Sequence, residues 1–253
     1  MLFRSVTADE RVGSTSSVGG LAGVMIDTTV TNCGNEGDVT GVNNLGGLCY
    51  ELYSGTMTGC YNTGRITATG TYVGGLMGYA KQATVTNVYN AGDVSTEKTL
   101  VGGLIGVMEK SSLTNAYVSG KVTTAAASGA IGAAVGSADQ VSNVYYLGGA
   151  SAIGDENATA KTAEELKALA PTLGSSFKEN TGCGGYPLLA WQEARAHQYE
   201  NGVCTVCGAK DPAAPYLLDG VTDAAAEVQT GKSYQLEIGR GRVGKECIAL
   251  CRS

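Results

Sequence analysis

Asn87-Val88-Tyr89-Asn90-Ala91-Gly92-Asp93-Val94 returns one period earlier as Cys60-Tyr61-Asn62-Thr63-Gly64-Arg65-Ile66 and one period later as Asn115-Ala116-Tyr117-Val118-Ser119-Gly120-Lys121-Val122. The shared glycines are Gly37, Gly64, Gly92, Gly120 and Gly148, spaced by 27, 28, 28 and 28 residues. A period held that closely marks a repeat architecture. Between these stretches a second half of the unit recurs: Val18-Gly19-Gly20-Leu21-Ala22-Gly23, Leu45-Gly46-Gly47-Leu48, Val73-Gly74-Gly75-Leu76-Met77-Gly78 and Val101-Gly102-Gly103-Leu104-Ile105-Gly106. Ile131-Gly132-Ala133-Ala134-Val135-Gly136 is a degenerate fifth copy.

The aligned columns state what the period does. Val30, Met57, Val85, Leu113 and Val141 are all apolar, and their neighbours Thr31, Thr58, Thr86, Thr114 and Ser142 are all small hydroxyls. Cys33, Cys60, Val88, Ala116 and Val144 form another apolar column, and Val39, Ile66, Val94 and Val122 a further one. Apolar and polar columns alternate with period two, as strands with one buried face require. One repeat cannot bury that face alone, so the repeats must stack in register. The expected fold is all-β: a right-handed parallel β-helix or β-solenoid of about five 28-residue repeats, its hand set by the general preference for right-handed crossovers. Recurrent glycines belong where φ is positive or backbones approach closely. Asp38, Arg65, Asp93 and Lys121 alternate in sign along one column. In coils stacked about 4.8 Å apart each would face an opposite charge, a contact of roughly 0.2–1 kcal/mol.

The pattern Val-Gly-Gly-Leu-x-Gly followed by Asn-x-Tyr-Asn-x-Gly-x-Val resembles the GLUG repeat, over roughly residues 6–149. That family occurs in large bacterial cell-surface proteins, including non-catalytic regions of IgA-specific metallopeptidases. The resemblance implies a β-solenoid and an extracellular location, at the cell surface or secreted. It implies no activity, since the family is recognised by its repeat. Repeat one departs at Gly34, where later copies carry Tyr61, Tyr89, Tyr117 and Tyr145.

Four regions are expected: repeats over 1–149, a C-terminal cap over 150–193, a Cys/His linker or small metal knuckle over 194–211, and the truncated start of an Ig-like or cadherin-like module over 212–253. Thr162-Ala163-Glu164-Glu165 is a capping box that opens a short helix with Leu166 and Leu169 on its apolar side and Pro171 beyond its end. Removing the cap is expected to make the array aggregate, because an open solenoid end exposes unpaired strand edges. Residues 1–17 read as the remains of an earlier repeat, with Ser5-Val6-Thr7 in place of Gly-x-Val-Thr. The first six residues hold no apolar signal-peptide core, and the chain is expected to be a fragment of a longer protein.

Composition narrows function. The 253 residues include 38 Gly, 4 Pro, 2 Phe, 1 Trp and 1 His, with 43% hydrophobic residues and a net charge of -6. No basic stripe offers a nucleic-acid footprint, and no apolar run approaches the roughly 20 residues that span a bilayer. The carboxylates do not form the matched pair that glycoside hydrolysis needs, no His-Glu-x-x-His is present, and a triad would have only His197 to use. The expected function is a non-catalytic structural or adhesive segment. The alternative is an accessory substrate-binding arm of a larger secreted protease or carbohydrate-active enzyme. The candidate partner is an unidentified host protein or glycan met through the outward Thr/Ser columns and the Tyr column; the other reading, and the preferred one, is that Thr and Tyr simply suit strand surfaces. The eight Cys do not fall into a paired framework. Cys204 and Cys207 form a Cys-x-x-Cys before Gly208, resembling a zinc knuckle. His197 is a third candidate ligand and Cys183 a weaker fourth. Free thiols or a local disulfide are the other reading of the pair. No cofactor other than zinc is expected. Cys33 and Cys60, adjacent in one column, are expected as buried free thiols, although their spacing would permit a disulfide.

Overall fold

The computed structural model of this chain describes residues 5–7 and 16–211, apart from 128, 130, 152, 201 and 202. The expected Ig-like or cadherin-like opening at 212–253 lies outside the described residues.

The repeats form a β-solenoid whose four faces are parallel sheets. The first face stacks Ser5–Thr7, Asp38–Gly41, Ile66–Ala68, Val94–Thr96 and Val122–Thr124. The second stacks the short strands Val18–Gly19, Leu45–Gly46, Val73–Gly74, Val101–Gly102 and Ile131–Gly132. Ala22–Ile26, Cys49–Tyr53, Met77–Lys81, Ile105–Glu109 and Val135–Ser137 build the third. On the fourth lie Thr29–Thr31 with Gly34–Asn35, Thr56–Thr58 with Tyr61–Asn62, then Thr84–Asn90, Ser112–Val118 and Gln140–Leu147.

The register is the one the sequence columns require. Val39 pairs with Ile66, Ile66 with Val94 and Val94 with Val122. Val30, Met57, Val85, Leu113 and Val141 likewise meet in order. Val6 pairs with Val39 and Thr7 with Thr40, so the first described strand is a further rung of the same ladder. The apolar columns close into two cores. Val39, Leu45, Ile66, Val73, Val94 and Val101 fill the space between the first two faces. Leu48, Leu52, Met57, Leu76, Met77 and Ile105 fill the space between the other two. Cys33 and Cys60 are free thiols, but only Cys60 is buried as expected, and burial pushes it up to about 12; Cys33 is half-buried.

The charged column stacks, but among the described residues its carboxylates bond backbone N–H groups and form no ion pair with the Arg65 or Lys121 side chain. Asp38 Oδ1 accepts the backbone N–H of Arg65 at 2.8 Å, and Asp93 Oδ1 that of Lys121 at 2.9 Å. A short carboxylate reaches a backbone donor one coil away. The long Arg and Lys heads lose little by staying in water, where an exposed pair is worth at most about 1 kcal/mol.

After the last repeat, Thr159–Lys161 adds a strand to Gln140–Leu147, and Asp155 Oδ2 accepts the N–H groups of Ala134 and Val135 at 2.8 and 2.7 Å. These contacts finish the end of the stack. The capping box forms: Thr162 Oγ1 accepts from Glu165 N at 3.2 Å and Glu165 Oε2 from Thr162 N at 2.9 Å. It opens helix α1, Ala163–Lys167. Pro171 does not simply follow this helix. It sits in the first turn of a second one, α2, Ala170–Leu173, where its missing N–H costs nothing.

From there the chain turns back along the flank of the solenoid. Leu166, Leu169, Ala170, Leu173, Phe177 and Leu189 pack on Tyr61, Tyr89 and Tyr117. The three rings are stacked, with centroids 5.3 and 5.0 Å apart. Tyr117 donates to Pro187 O, Gln192 Nε2 lies 2.9 Å from Tyr89 Oη, and Trp191 Nε1 donates to Gly59 O at 3.0 Å. Arg195 pairs with Glu36, a residue of the first repeat. The segment is therefore a strap that spans the stack, and it buries Tyr61, Tyr89 and Tyr117 of the Tyr column that the sequence offered as a contact surface, leaving Tyr145 half-buried.

Candidate functional site

Three outer features could meet a partner. The first is the hydroxyl column, in which Thr58 and Thr86 Oγ1 lie 2.9 Å apart and Thr114 Oγ1 and Ser142 Oγ 3.1 Å apart. These hydroxyls bond along the column, which spends part of their capacity on stacking. The second is the third face, where Val24 and Ile26 are exposed beside Glu51, Tyr53 and Lys81, lining a depression of about 230 Å³. A further depression of about 360 Å³ lies beside Lys121, Val122 and Ile153. Neither brings two carboxylates together.

The third feature is the cysteine–histidine cluster. Cys183 lies in the loop between Phe177–Lys178 and Leu188–Leu189, an antiparallel pair. Its N–H donates to Arg195 O at 2.8 Å, which ties this loop to the chain entering His197. Tyr199–Glu200 and Val203–Cys204 then form a small antiparallel hairpin. Beyond it the chain turns tightly, with Gly208 N donating to Cys204 O at 2.9 Å and Cys204 N to Ala209 O at 2.7 Å. Gly208 takes φ +72°, a left-handed conformation that favours glycine directly after the second cysteine. The His197 ring stacks on Tyr199, centroids 5.3 Å apart.

This path brings Cys183, His197, Cys204 and Cys207 together, with one ligand atom from each lying within 4.8 Å of all the others. Cys183 Sγ is 3.7 Å from Cys204 Sγ, and Cys207 Sγ is 3.4 Å from His197 Nδ1. Burial pushes the Cys204 thiol up, but the backbone N–H groups of Cys207 and Val206, the His197 ring and the Gln198 backbone more than offset it and bring it to about 5. Cys207 is also held low, first by the Cys183 thiol. Cys183 is pushed up to about 12, by burial first and then by the neighbouring thiols. His197 is raised, chiefly by its contact with Cys204. The site is a soft sulfur–nitrogen donor set assembled from three segments.

Sequence spacing found His197, Cys204 and Cys207 and ranked Cys183 behind them. The structure puts Cys183 on equal terms. Nothing local could have done so, because 13 residues lie between Cys183 and His197 with no repeat among them.

The fold has a solved counterpart. The chain is similar to the crystal structure of a putative immunoglobulin A1 protease from Bacteroides ovatus, at 23% identity and a TM-score of 0.52. The match covers 65% of this chain and 58% of that one. At this identity the likeness concerns the fold. No family model matches the sequence, and no curated protein does. Among the described residues no helix is long and apolar enough to cross a membrane.

Proposed function

We propose that this chain is a non-catalytic structural segment of a larger bacterial protein displayed at the cell surface or secreted. The observation that carries the reading is where the polar side chains of the array are used. Asn35, Asn62 and Asn90, all fully buried, bond to one another along the stack. Asp38, Asp93 and Asp139 accept backbone N–H groups of a neighbouring coil. Groups that hold the stack are not poised for proton transfer, which needs a donor or base aimed at a substrate. A rigid rod built this way suits the spacing or presentation of other modules.

Its test is localisation together with activity. Antibodies against the repeats should label intact producing cells or their medium, and the purified chain should leave polysaccharides and immunoglobulin chains uncleaved. Confinement to the cytoplasm would overturn the surface reading, and turnover of either substrate would overturn the non-catalytic one. A second reading, favoured by the fold likeness, is an accessory arm that holds substrate for a protease. It expects measurable binding of the immobilised chain to immunoglobulin A, and it fails if binding is no stronger than to an unrelated solenoid.

A further inference from the structure

We propose that Cys183, His197, Cys204 and Cys207 hold one zinc ion, and that this ion staples the 197–210 hairpin to the strap that covers the solenoid. The proposal stands on the geometry of the cluster and is independent of the surface reading.

The distances carry it. Zinc bound tetrahedrally, with sulfur about 2.3 Å and nitrogen about 2.05 Å away, separates two sulfur ligands by roughly 3.8 Å and a sulfur from a nitrogen by roughly 3.6 Å. Cys183 and Cys204 Sγ are 3.7 Å apart, and Cys207 Sγ and His197 Nδ1 are 3.4 Å apart. These match two opposite edges of such a tetrahedron, and the other ligand atoms lie within 4.8 Å of one another. A disulfide would need about 2.05 Å between sulfurs. Three sulfurs and one imidazole are a soft set that selects zinc over the oxygen-loving cations. With four protein ligands the shell is closed, which is the arrangement of structural rather than catalytic zinc.

The energetics of the segment point the same way. Past Leu189 the buried apolar side chains among the described residues reduce to Cys204. Val203 and Val206 are 39% and 62% exposed. A two-stranded hairpin with no apolar face is marginal in water, and segments too small for a core rely on metals or other staples. Because Cys183 belongs to the strap, the ion would join two elements and not merely close a loop.

The full chain, purified under reducing conditions with zinc supplied, should retain about one zinc per molecule by elemental analysis. Cobalt exchanged into it should give the absorption of a tetrahedral thiolate site. Cys183→Ser, Cys207→Ser and His197→Ala should each weaken zinc against a competing chelator by at least the roughly 10–100-fold that outer-sphere partners alone are worth. Cys33→Ser, at a free thiol of the array, should not. Circular dichroism of each variant checks that the solenoid remains folded. Absence of bound metal in the reduced protein overturns the proposal, as does full affinity in the Cys183→Ser variant. A Cys183–Cys204 disulfide in protein isolated from its own cells, found by peptide mass spectrometry, overturns it as well.

Discussion

Each asparagine of the Asn-x-Tyr-Asn motif has its own task. The first, at Asn32, Asn87, Asn115 and Asn143, takes a left-handed φ of 53–55°, and Gly59 fills the same column at φ +65°. Asparagine tolerates this conformation better than most residues, so this corner of the coil falls on asparagine or glycine, whereas two other left-handed columns carry Asp27, Ser54, Gln82 and Lys110, and Asn44, Tyr72 and Leu100. The glycine pairs serve the other purpose open to them, close approach. A Cβ on Gly74 would lie 2.0 Å from Met77 O, and one on Gly75 2.1 Å from Gly103 O. Gly75→Ala must push backbone aside, and we expect a loss on the order of 3 kcal/mol, read from chemical denaturation. The second asparagine makes the buried ladder: Asn62 Nδ2 donates to Gly64 O and to Asn90 Oδ1, each at 2.8 Å, and Asn62 Oδ1 accepts from Asn35 Nδ2 at 2.8 Å. Asn62→Ala leaves one buried N–H of Asn35 Nδ2 without its acceptor and takes the side-chain donor from Gly64 O, although Asn35 Nδ2 keeps Gly37 O and Asn90 Oδ1 keeps Gly92 N. At roughly 1–3 kcal/mol for each orphaned group, the variant should unfold at clearly lower denaturant, whereas Thr58→Ala on the outer column should scarcely move it.

The strap is the element whose role the sequence least revealed. Its apolar residues look like a short amphipathic helix with a cap. Packed in place, they cover three stacked tyrosines, and burial drives Tyr117 far above its ordinary value and Tyr89 upward with it. Leu166 is fully buried in this contact, so Leu166→Ala should cost about 2–5 kcal/mol. The loss should appear first as faster hydrogen exchange and greater tyrosine accessibility along the flank. Acid should loosen the start of the same element. Glu165 is held below the usual carboxylate range, first by the Thr162 backbone N–H and next by Lys161. A folded value below the unfolded one means that its contribution is present above the unfolded pKa of about 4.3 and is lost as pH falls through the folded value. Glu165→Gln keeps the capping box, and the thermal stability of this variant should therefore depend less on pH below about 5 than that of the parent.

Across the molecule, cohesion comes from ladders between adjacent coils, so stability is close to a sum of neighbour terms. Those ladders are backbone, asparagine and apolar contacts. The ion pairs between described residues are Lys81–Glu109, Lys161–Glu165 and Arg195–Glu36, with at least one partner substantially exposed in each. Exposed pairs contribute about 0–1 kcal/mol and are screened by salt. Stability should thus change by no more than about 1 kcal/mol between low and molar sodium chloride. A larger drop would mean that the alternating charge column carries the stack after all. Such an outcome would contradict the aspartate-to-backbone bonds seen at Arg65 and Lys121.

The 28-residue period settled the parallel stacking, the register and the identity of the core, down to the pairing of Val39 with Ile66 and Val94. It could do so because each coil repeats the same local choice, and a column of like residues has one way to bury itself. The capping box was legible for a similar reason: its partners are three residues apart. Contacts that occur once had no such redundancy. That Tyr61, Tyr89 and Tyr117 are roofed over, that Asp38 bonds an amide and not the Arg65 side chain, and that Cys183 joins His197, Cys204 and Cys207 depended on the path of the chain after the last coil and on the reach of single side chains. Periodicity fixes what faces inward, but it carries no information about which aperiodic segment returns to lie against the outside.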